Sequence, residues 1–246
     1  MAKISIDIEN IRKCLMSIGY EVSDFIEREN NGKNWQFKFS NSGAIVTVYD
    51  TNTKKNTVVN GKFDTGEDRS LKAIVDGVKC REIAIDEINE LIVGLIKSKE
   101  EKSWYDFKQE WHSKGKDGDL LHDILCLANN VENKDAFLII GVADNCEVLG
   151  VTEWRKSNEV YDFLRAKKFA GGHFPDVELH KVYYKYQKLD VLKITHSCHV
   201  PYYLEEKYKD VGTQIYTRIG DTNTPKNETA SYNDVETLWK VHFMGD

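Results

Sequence analysis

The apolar run "AFLIIGV" at residues 136–142 is the feature that most constrains the fold of this chain. A short, almost continuously apolar run is typical of a central strand that is covered on both faces. A helical pattern precedes it at 118–130, and two long alternating segments, 176–187 and 189–197, follow it around a short turn. The sequence of the second half therefore predicts an α+β domain in which this run is the central, covered strand.

The first half of the chain predicts a smaller unit of helices and antiparallel strands. Apolar spacing indicates a helix over 8–18, and strands follow as "NWQFKFS", "AIVTVYD" and "TVVNGKF", joined by turns at "NSG" and "TNTKKN". Helical patterns return at 71–78 and 85–96. The fold class is α+β: a small N-terminal helix and antiparallel-sheet domain, 1–98, followed by a second α+β domain, 99–246. The charged run "KSKEEK" marks the boundary.

Composition limits the function classes. The formal net charge is −6, which counts against nucleic-acid binding over much of the surface but leaves room for a local basic face. Five scattered cysteines without a C-x-x-C pair favour reduced thiols and a cytoplasmic location. The chain has no apolar run of membrane-spanning length and no secretory leader pattern, so we expect no membrane association. The sequence contains neither of the glycine-rich nucleotide-binding motifs, G-x-x-x-x-G-K-[ST] and G-x-G-x-x-G, and we expect no ATP binding.

The stretch "WYDFKQEW" at 104–111 carries charge on a predicted strand. On a strand, Asp106 and Lys108 share one face with Trp104, while Tyr105 and Phe107 share the other. Two interpretations follow: an exposed ion pair of little energetic value, or an acid and a lysine held for chemistry.

Four lysines are candidates for contact with a nucleic-acid backbone. Lys181 and Lys185 alternate with Tyr183 along a predicted strand, which suits either phosphate binding beside a stacking ring or a plain solvated face. Lys167 and Lys168 end a predicted helix, where they either complement its dipole or contact RNA.

The stretch "THSCHVP" brings His196, Cys198 and His199 together at the end of a predicted strand. A zinc site needs a fourth ligand and usually wider, paired spacings. The alternative is a strand end with an ordinary buried cysteine.

An ordered set of motifs gives the second half its resemblance to a known family. Glu101 precedes Asp106-Phe107-Lys108, then come a helix ending "CLANN", the strand "LIIGVAD" and the hairpin "VLGV". "PYYL" and "YTRIGDTNTP" follow in the order of the family's late strand and its Arg-x-Gly turn. From about residue 100 to 240 the chain resembles the Schlafen AlbA_2 domain, with Asp106 where the family usually has Glu.

The resemblance implies a catalytic centre. In nuclease members, two early carboxylates and the aspartate after the "GV" strand form a metal-dependent ribonuclease centre that acts on tRNA and rRNA. By position these are Glu101, Asp106 and Asp144, which we expect to hold Mg²⁺ or Mn²⁺. Lys108 is expected to assist at the phosphate. Arg218 is expected either to contact RNA phosphate or to brace Asp144 or a buried carboxylate.

The resemblance therefore implies a metal-dependent endoribonuclease that cleaves structured RNA such as tRNA, in a toxin or antiviral-defence role. The nuclease core of animal Schlafens closes a cleft between two related lobes, and this chain has one, so we expect a homodimer. The alternative is a non-catalytic DNA- or RNA-binding regulatory module. The first half weakly resembles the TBP-like domain that precedes some ribonucleases. In that case Lys38, Lys54 and Lys55 supply positive charge to its sheet.

Overall fold

The computed structural model describes residues 7–29, 33–40, 43–50, 57–61, 63, 66–80 and 86–244. The chain divides into two compact units, Met1–Ser98 with Val182–Gln187, and Lys99–Lys181 with Lys188–Asp246. The segment Val182–Gln187 thus groups with the first unit, although it lies within the predicted second domain in sequence.

The first unit is an antiparallel sheet with helices. Its elements are α1 (Ile8–Ser17), β1 (Val22–Glu29), β2 (Lys33–Phe39), β3 (Ile45–Asp50), β4 (Thr57–Asn60), α2 (Glu67–Lys79) and α3 (Glu87–Ser98). The four strands lie in sequence order and pair antiparallel. The predicted helices and three predicted strands are confirmed, and β1 is an additional strand that the sequence pattern did not indicate.

Alternation along β2 explains why this sheet has one apolar face. Trp35, Phe37 and Phe39 are buried, whereas Lys38 between them is exposed. Leu15 of α1 and Leu71 of α2 belong to the same buried cluster. Of the predicted turns, "TNTKKN" with Lys54 and Lys55 lies outside the described residues, and so do the first two residues of "NSG".

The side chain of Asn89 forms hydrogen bonds with three backbone groups of the first unit. It is buried, its amide donates to the carbonyls of Ser17 at 2.9 Å and Tyr183 at 3.0 Å, and its oxygen accepts from the Tyr183 amide at 2.9 Å. One polar side chain thereby satisfies backbone groups from two distant parts of the sequence.

The second unit is built around a four-stranded sheet in the order β5-β6-β8-β7. Its elements are β5 (Tyr105–Lys108), α4 (Asp117–Ala128), β6 (Ala136–Ile140), α5 (Asn158–Arg165), β7 (Val177–Tyr184), β8 (Gln187–Ile194), β9 (Arg218–Ile219), β10 (Thr222–Asn223) and α6 (Tyr232–Met244). β6 pairs parallel with β5 and antiparallel with β8, and every residue of β6 is buried. The predicted central strand is confirmed.

Two predicted strand features are shorter in the structure. The alternating stretch "TQIYTRI" at 213–219 predicts a further strand, but the structure has only β9 there. The amide of Thr217 bonds to the side chain of Thr224, and the carbonyl of Tyr216 accepts from the Asn129 side chain. The predicted hairpin at "EVLGV" is a single bridge between Val142 and Val148. Within the described ranges, no helix has the length and apolar character needed to cross a bilayer.

Candidate functional site

The parallel pairing of β5 with β6 brings the ends of both strands to one edge of the sheet. Lys108 is the register partner of Ile140, and the Lys108 carbonyl accepts from the amides of Gly141 at 2.8 Å and Val142 at 3.2 Å. The segment that follows β6 therefore starts next to the last residue of β5. Asp144, two residues after Val142, is exposed on the same edge.

Gly141 makes the turn after β6 possible. Its φ of +105° lies in the region that favours glycine. A Cβ at this position would lie 2.8 Å from Leu189 Cδ2 and 3.0 Å from Gly150 Cα. The turn that carries Asp144 therefore depends on a glycine at this point.

Glu101 and Asp106 form an acid pair whose four carboxylate oxygens all accept hydrogen bonds. Glu101 Oε1 accepts from the Phe107 amide at 3.0 Å, and Oε2 accepts from Arg218 at 2.7 Å. Asp106 Oδ1 accepts from Arg218 at 3.0 Å, and Oδ2 accepts from Lys108 Nζ at 2.5 Å. The Asp106 side chain is only 3% exposed, so Asp106 and Lys108 are not the exposed ion pair of the alternative interpretation.

Arg218 is the centre of this network. Its Nη2 donates to both carboxylates, its Nε donates to the Lys102 carbonyl at 3.1 Å, and its Nη1 donates to Asn223 Oδ1 at 2.9 Å. The side chain is 3% exposed. Of the expected roles, Arg218 has that of a brace for a buried carboxylate, Asp106, and the acids it contacts do not include Asp144. A phosphate contact by Arg218 stays a prediction.

A second layer of polar side chains lies behind Arg218. Asn223 Nδ2 donates to Asp123 Oδ1 at 2.8 Å, and Asp123 Oδ2 lies 2.8 Å from His112 Nε2. The sequence analysis did not single out these three residues. One signal was available: His122 and Asp123 interrupt the apolar run of α4 between Leu120 and Ala128, where every residue is buried.

Burial and neighbouring charges shift the pKa values of these groups. Burial raises the pKa of Glu101, and the nearby Asp106 carboxylate raises it further. Burial alone would lower the pKa of Lys108, but attraction to Asp123 and Asp106 outweighs it, and the pKa is raised. Burial alone would raise the pKa of Asp123, but the His112 hydrogen bond and the Lys108 charge lower it.

These residues border an open cleft of about 730 Å³, here called the acidic cleft. It is lined by Lys99, Glu100, Glu101, Asp106, Phe107, Lys108, Asp144, Cys146, Arg218, Asp221, Thr222 and Asn223. Five of the lining residues are acidic and three are basic, so the cleft carries an excess of negative charge. The three predicted metal-binding acids line it together with Lys108 and Arg218.

The predicted Mg²⁺ or Mn²⁺ ion does not fit these acids as they stand. The oxygens of Glu101 and Asp106 already accept bonds from Arg218, Lys108 and a backbone amide. Within the described part of the chain, no three His, Cys, Asp or Glu side chains are grouped so that they can hold an ion. Asp144 makes no hydrogen bond or ion pair with any described residue, and it stands apart from the bonded pair.

Comparison with known families covers the part of the chain that carries this site. The family model described as Schlafen, AlbA_2 matches residues 101–227, more than half of the chain. The chain belongs to the Schlafen AlbA_2 family. The matched range of this AlbA_2 chain begins at Glu101 and includes the whole Arg218 network and the acidic cleft from Glu101 onward. A search of curated proteins gave no match. The TBP-like resemblance of the first half lies outside the AlbA_2 match and is not confirmed.

The four candidate RNA-binding lysines do not line the acidic cleft of this AlbA_2 chain. Lys167 Nζ lies 3.9 Å from the ring centre of Tyr208, and Lys168 pairs with Glu206 at 3.2 Å. Lys181 Nζ lies 5.8 Å from the ring centre of Trp154. Lys185 belongs to the first unit. Their contact with RNA stays a prediction.

The histidines and cysteine of "THSCHVP" are not gathered into one ligand set. His196 Nδ1 lies 2.7 Å from Asp135 Oδ1, and the ring of His199 stacks on His173 with centres 4.0 Å apart. Cys198 is half-buried. The residues that the structure describes thus assemble no zinc site here.

Proposed function

We propose that this chain is an endoribonuclease whose reaction takes place in the acidic cleft. One observation carries the proposal: Glu101, Asp106, Lys108 and Arg218 form a connected, largely buried ion network that opens onto a cleft with Asp144 at its edge. Perturbed ionisable groups in a cleft are typical of catalytic sites. The family to which the chain belongs includes nucleases.

Glu101 and Lys108 have properties that suit phosphodiester cleavage. The raised pKa of Glu101 makes proton transfer with an attacking or leaving oxygen more effective toward neutral pH. Lys108 is 29% exposed, and its raised pKa keeps the ammonium charged beside a phosphate. Arg218, in this proposal, positions the two carboxylates and does not touch the substrate.

The charge of the cleft bears on the choice between catalysis and simple binding. A module that only binds nucleic acid needs a basic face, since phosphates are repelled by an excess of carboxylates. The acidic cleft has that excess and so lacks the basic face of a backbone-binding groove, and in the proposed reaction Lys108 is the cation that faces the phosphate. Dependence on Mg²⁺ or Mn²⁺ stays a prediction from the family resemblance, and we assign no step to an ion.

Structured RNA such as tRNA is the proposed substrate, and a toxin or antiviral-defence role is the proposed setting, both from the family resemblance. A homodimer is proposed because the chain carries a single AlbA_2 region. Light scattering at micromolar concentration tests the dimer, and a monomer under these conditions contradicts it.

The test is cleavage of total tRNA, with Mg²⁺, with Mn²⁺ and with EDTA, resolved on a denaturing gel. Glu101→Gln, Asp106→Asn and Asp144→Ala are compared with the wild type. Asp162→Asn is the matched control, because Asp162 is an exposed acid on α5 that does not line the cleft. We expect discrete fragments from the wild type and the control, and a loss of at least about 100-fold in the three cleft variants.

Intact tRNA in every wild-type lane contradicts the proposal. Duplex DNA binding with a steep salt dependence and no need for a divalent ion would then support the regulatory-module alternative.

A further inference from the structure

We infer that Arg218 is the resident cation of this centre: its guanidinium occupies the position between Glu101 and Asp106 where a divalent ion was expected. The chain without substrate therefore does not bind a metal ion through these two carboxylates. This inference concerns the resting protein, and it does not depend on whether the acidic cleft cleaves RNA.

The first support is convergence on one atom. Arg218 Nη2 lies 2.7 Å from Glu101 Oε2 and 3.0 Å from Asp106 Oδ1. Two carboxylates that direct oxygens at a single point form the kind of pocket in which a hard cation binds. Here the point is filled by a side chain that is 3% exposed.

The second support is local charge balance. Glu101 and Asp106 together carry two negative charges when ionised, and Arg218 and Lys108 carry two positive charges in direct contact with them. A divalent ion added to these four groups would give them an excess of positive charge, because the negative excess of the cleft lies on other residues, Glu100, Asp144 and Asp221. The acids already have the counter-charges that an ion would otherwise supply.

The third support is that the other two guanidinium nitrogens, Nε and Nη1, also make hydrogen bonds. Its Nε donates to the Lys102 carbonyl, and its Nη1 donates to Asn223, which is itself held by Asp123. The planar guanidinium donates in fixed directions, so these bonds and the two carboxylates define one orientation. An ion that displaced Arg218 would leave the Lys102 carbonyl and Asn223 without this donor.

The test is a Mn²⁺ titration of the purified full chain without RNA, in which electron paramagnetic resonance measures unbound Mn²⁺. Wild type is compared with Asp106→Asn, Arg218→Met, the double variant Arg218→Met/Asp106→Asn, and Arg165→Met as an exposed-arginine control. We expect wild type, Asp106→Asn and the control to take up Mn²⁺ equally, since ions then bind only to exposed acids such as Asp144. In Arg218→Met, we expect one site to gain affinity by about tenfold or more, and the double variant to lose that gain.

Two results overturn the inference. One is tight wild-type binding of one Mn²⁺ that Asp106→Asn weakens by about tenfold or more. The other is an Arg218→Met variant that is folded by circular dichroism and gains no affinity. Should that variant fail to fold, the comparison of wild type with Asp106→Asn decides the question by itself. Because the titration contains no RNA, its result is separate from the outcome of the cleavage assay.

Discussion

Arg218 donates to Asp106 at 3.0 Å, and each side chain is only 3% exposed. An ion pair this deep is stable only while both partners are present, because a lone buried charge has lost its hydration without compensation. Glu101 shares the same donor nitrogen, so the loss of Arg218 leaves two carboxylates facing each other.

Replacement of Arg218 by Met is expected to lower the free energy of unfolding by about 3–5 kcal/mol. The methionine fills much of the volume but removes the counter-charge that Glu101 and Asp106 share, which leaves Lys108 beside Asp106 as the remaining cation. Urea unfolding followed by circular dichroism measures the change. Arg165→Met, at an exposed position on α5, is the control and should change the free energy by less than about 0.5 kcal/mol. Equal stability of the two variants would contradict the buried-pair argument.

Asp135 is expected to give the second unit an acid-sensitive contribution to stability. Partial burial alone would raise its pKa, but hydrogen bonds from Lys193 and His196 lower it from the ordinary 3.8 to about 2. A lowered folded-state pKa stabilises the fold above the unfolded value, and this stability is lost as pH falls through the folded value. Asp135→Asn should therefore be less stable than wild type at pH 7. The difference should shrink between about pH 4 and pH 2.

The measurement for Asp135 is thermal unfolding of both proteins across this pH range, with Glu178→Gln as the control. Glu178 is an acid on β7 whose side chain is 70% exposed. A stability difference between wild type and Asp135→Asn that stays constant down to pH 2 would show that the carboxylate is not stabilised as described.

Asp123→Asn is expected to lower the pKa of Lys108. The Asp123 carboxylate is one of the two negative groups that favour the charged ammonium against the effect of burial. The pKa is measured from the pH dependence of the Lys108 ¹³Cε chemical shift in lysine-labelled protein. Asp162→Asn serves as the control, since that acid is exposed and is not among the groups that shift Lys108. An unchanged Lys108 titration in Asp123→Asn would remove Asp123 from the electrostatics of the site.

Gly141→Ala is expected to destabilise the second unit by more than about 1 kcal/mol, since its φ is +105° and an added Cβ would meet Leu189 at 2.8 Å. Gly94→Ala is the matched control. Gly94 is an exposed glycine of α3 with nothing within 4 Å of an added Cβ, and alanine there should stabilise the helix by about 0.5–1 kcal/mol. Chemical denaturation gives both values, and the same sign for both would contradict the argument.

The sequence predicted those features that arise from local periodicity. The apolar run of β6 specified a buried central strand, and alternation in β5 correctly placed Asp106 and Lys108 on one face, where they now form an ion pair. β1 was missed because "VSDFIERE" has few apolar residues and no clean alternation. β9 and β10 are short: at the next pair of residues the Thr224 amide donates to the Thr217 carbonyl, but the Thr217 amide bonds to the Thr224 hydroxyl and not to a backbone carbonyl.

The partners of the acid pair could not be predicted in the same way. Arg218 lies 112 positions from Asp106, and Asn223 lies 100 positions from Asp123. No periodic pattern relates positions that far apart, and the choice between phosphate contact and a carboxylate brace depends on burial. The resemblance pointed to Glu101, Asp106 and Arg218 one by one, and only three-dimensional packing shows that these three are bonded to one another.

The grouping of Val182–Gln187 with the first unit limits how this protein can be dissected. A fragment that stops at Ser98 lacks Tyr183, and Asn89 then retains one of its three backbone partners. A fragment that starts at Lys99 contains Val182–Gln187 but lacks Asn89, whose side chain bonds to Tyr183 in that segment. Division of the chain at one position therefore separates Val182–Gln187 from the unit to which it belongs. Truncation studies need a first fragment to which Val182–Gln187 is added, and a second fragment in which a shorter loop joins β7 to β8.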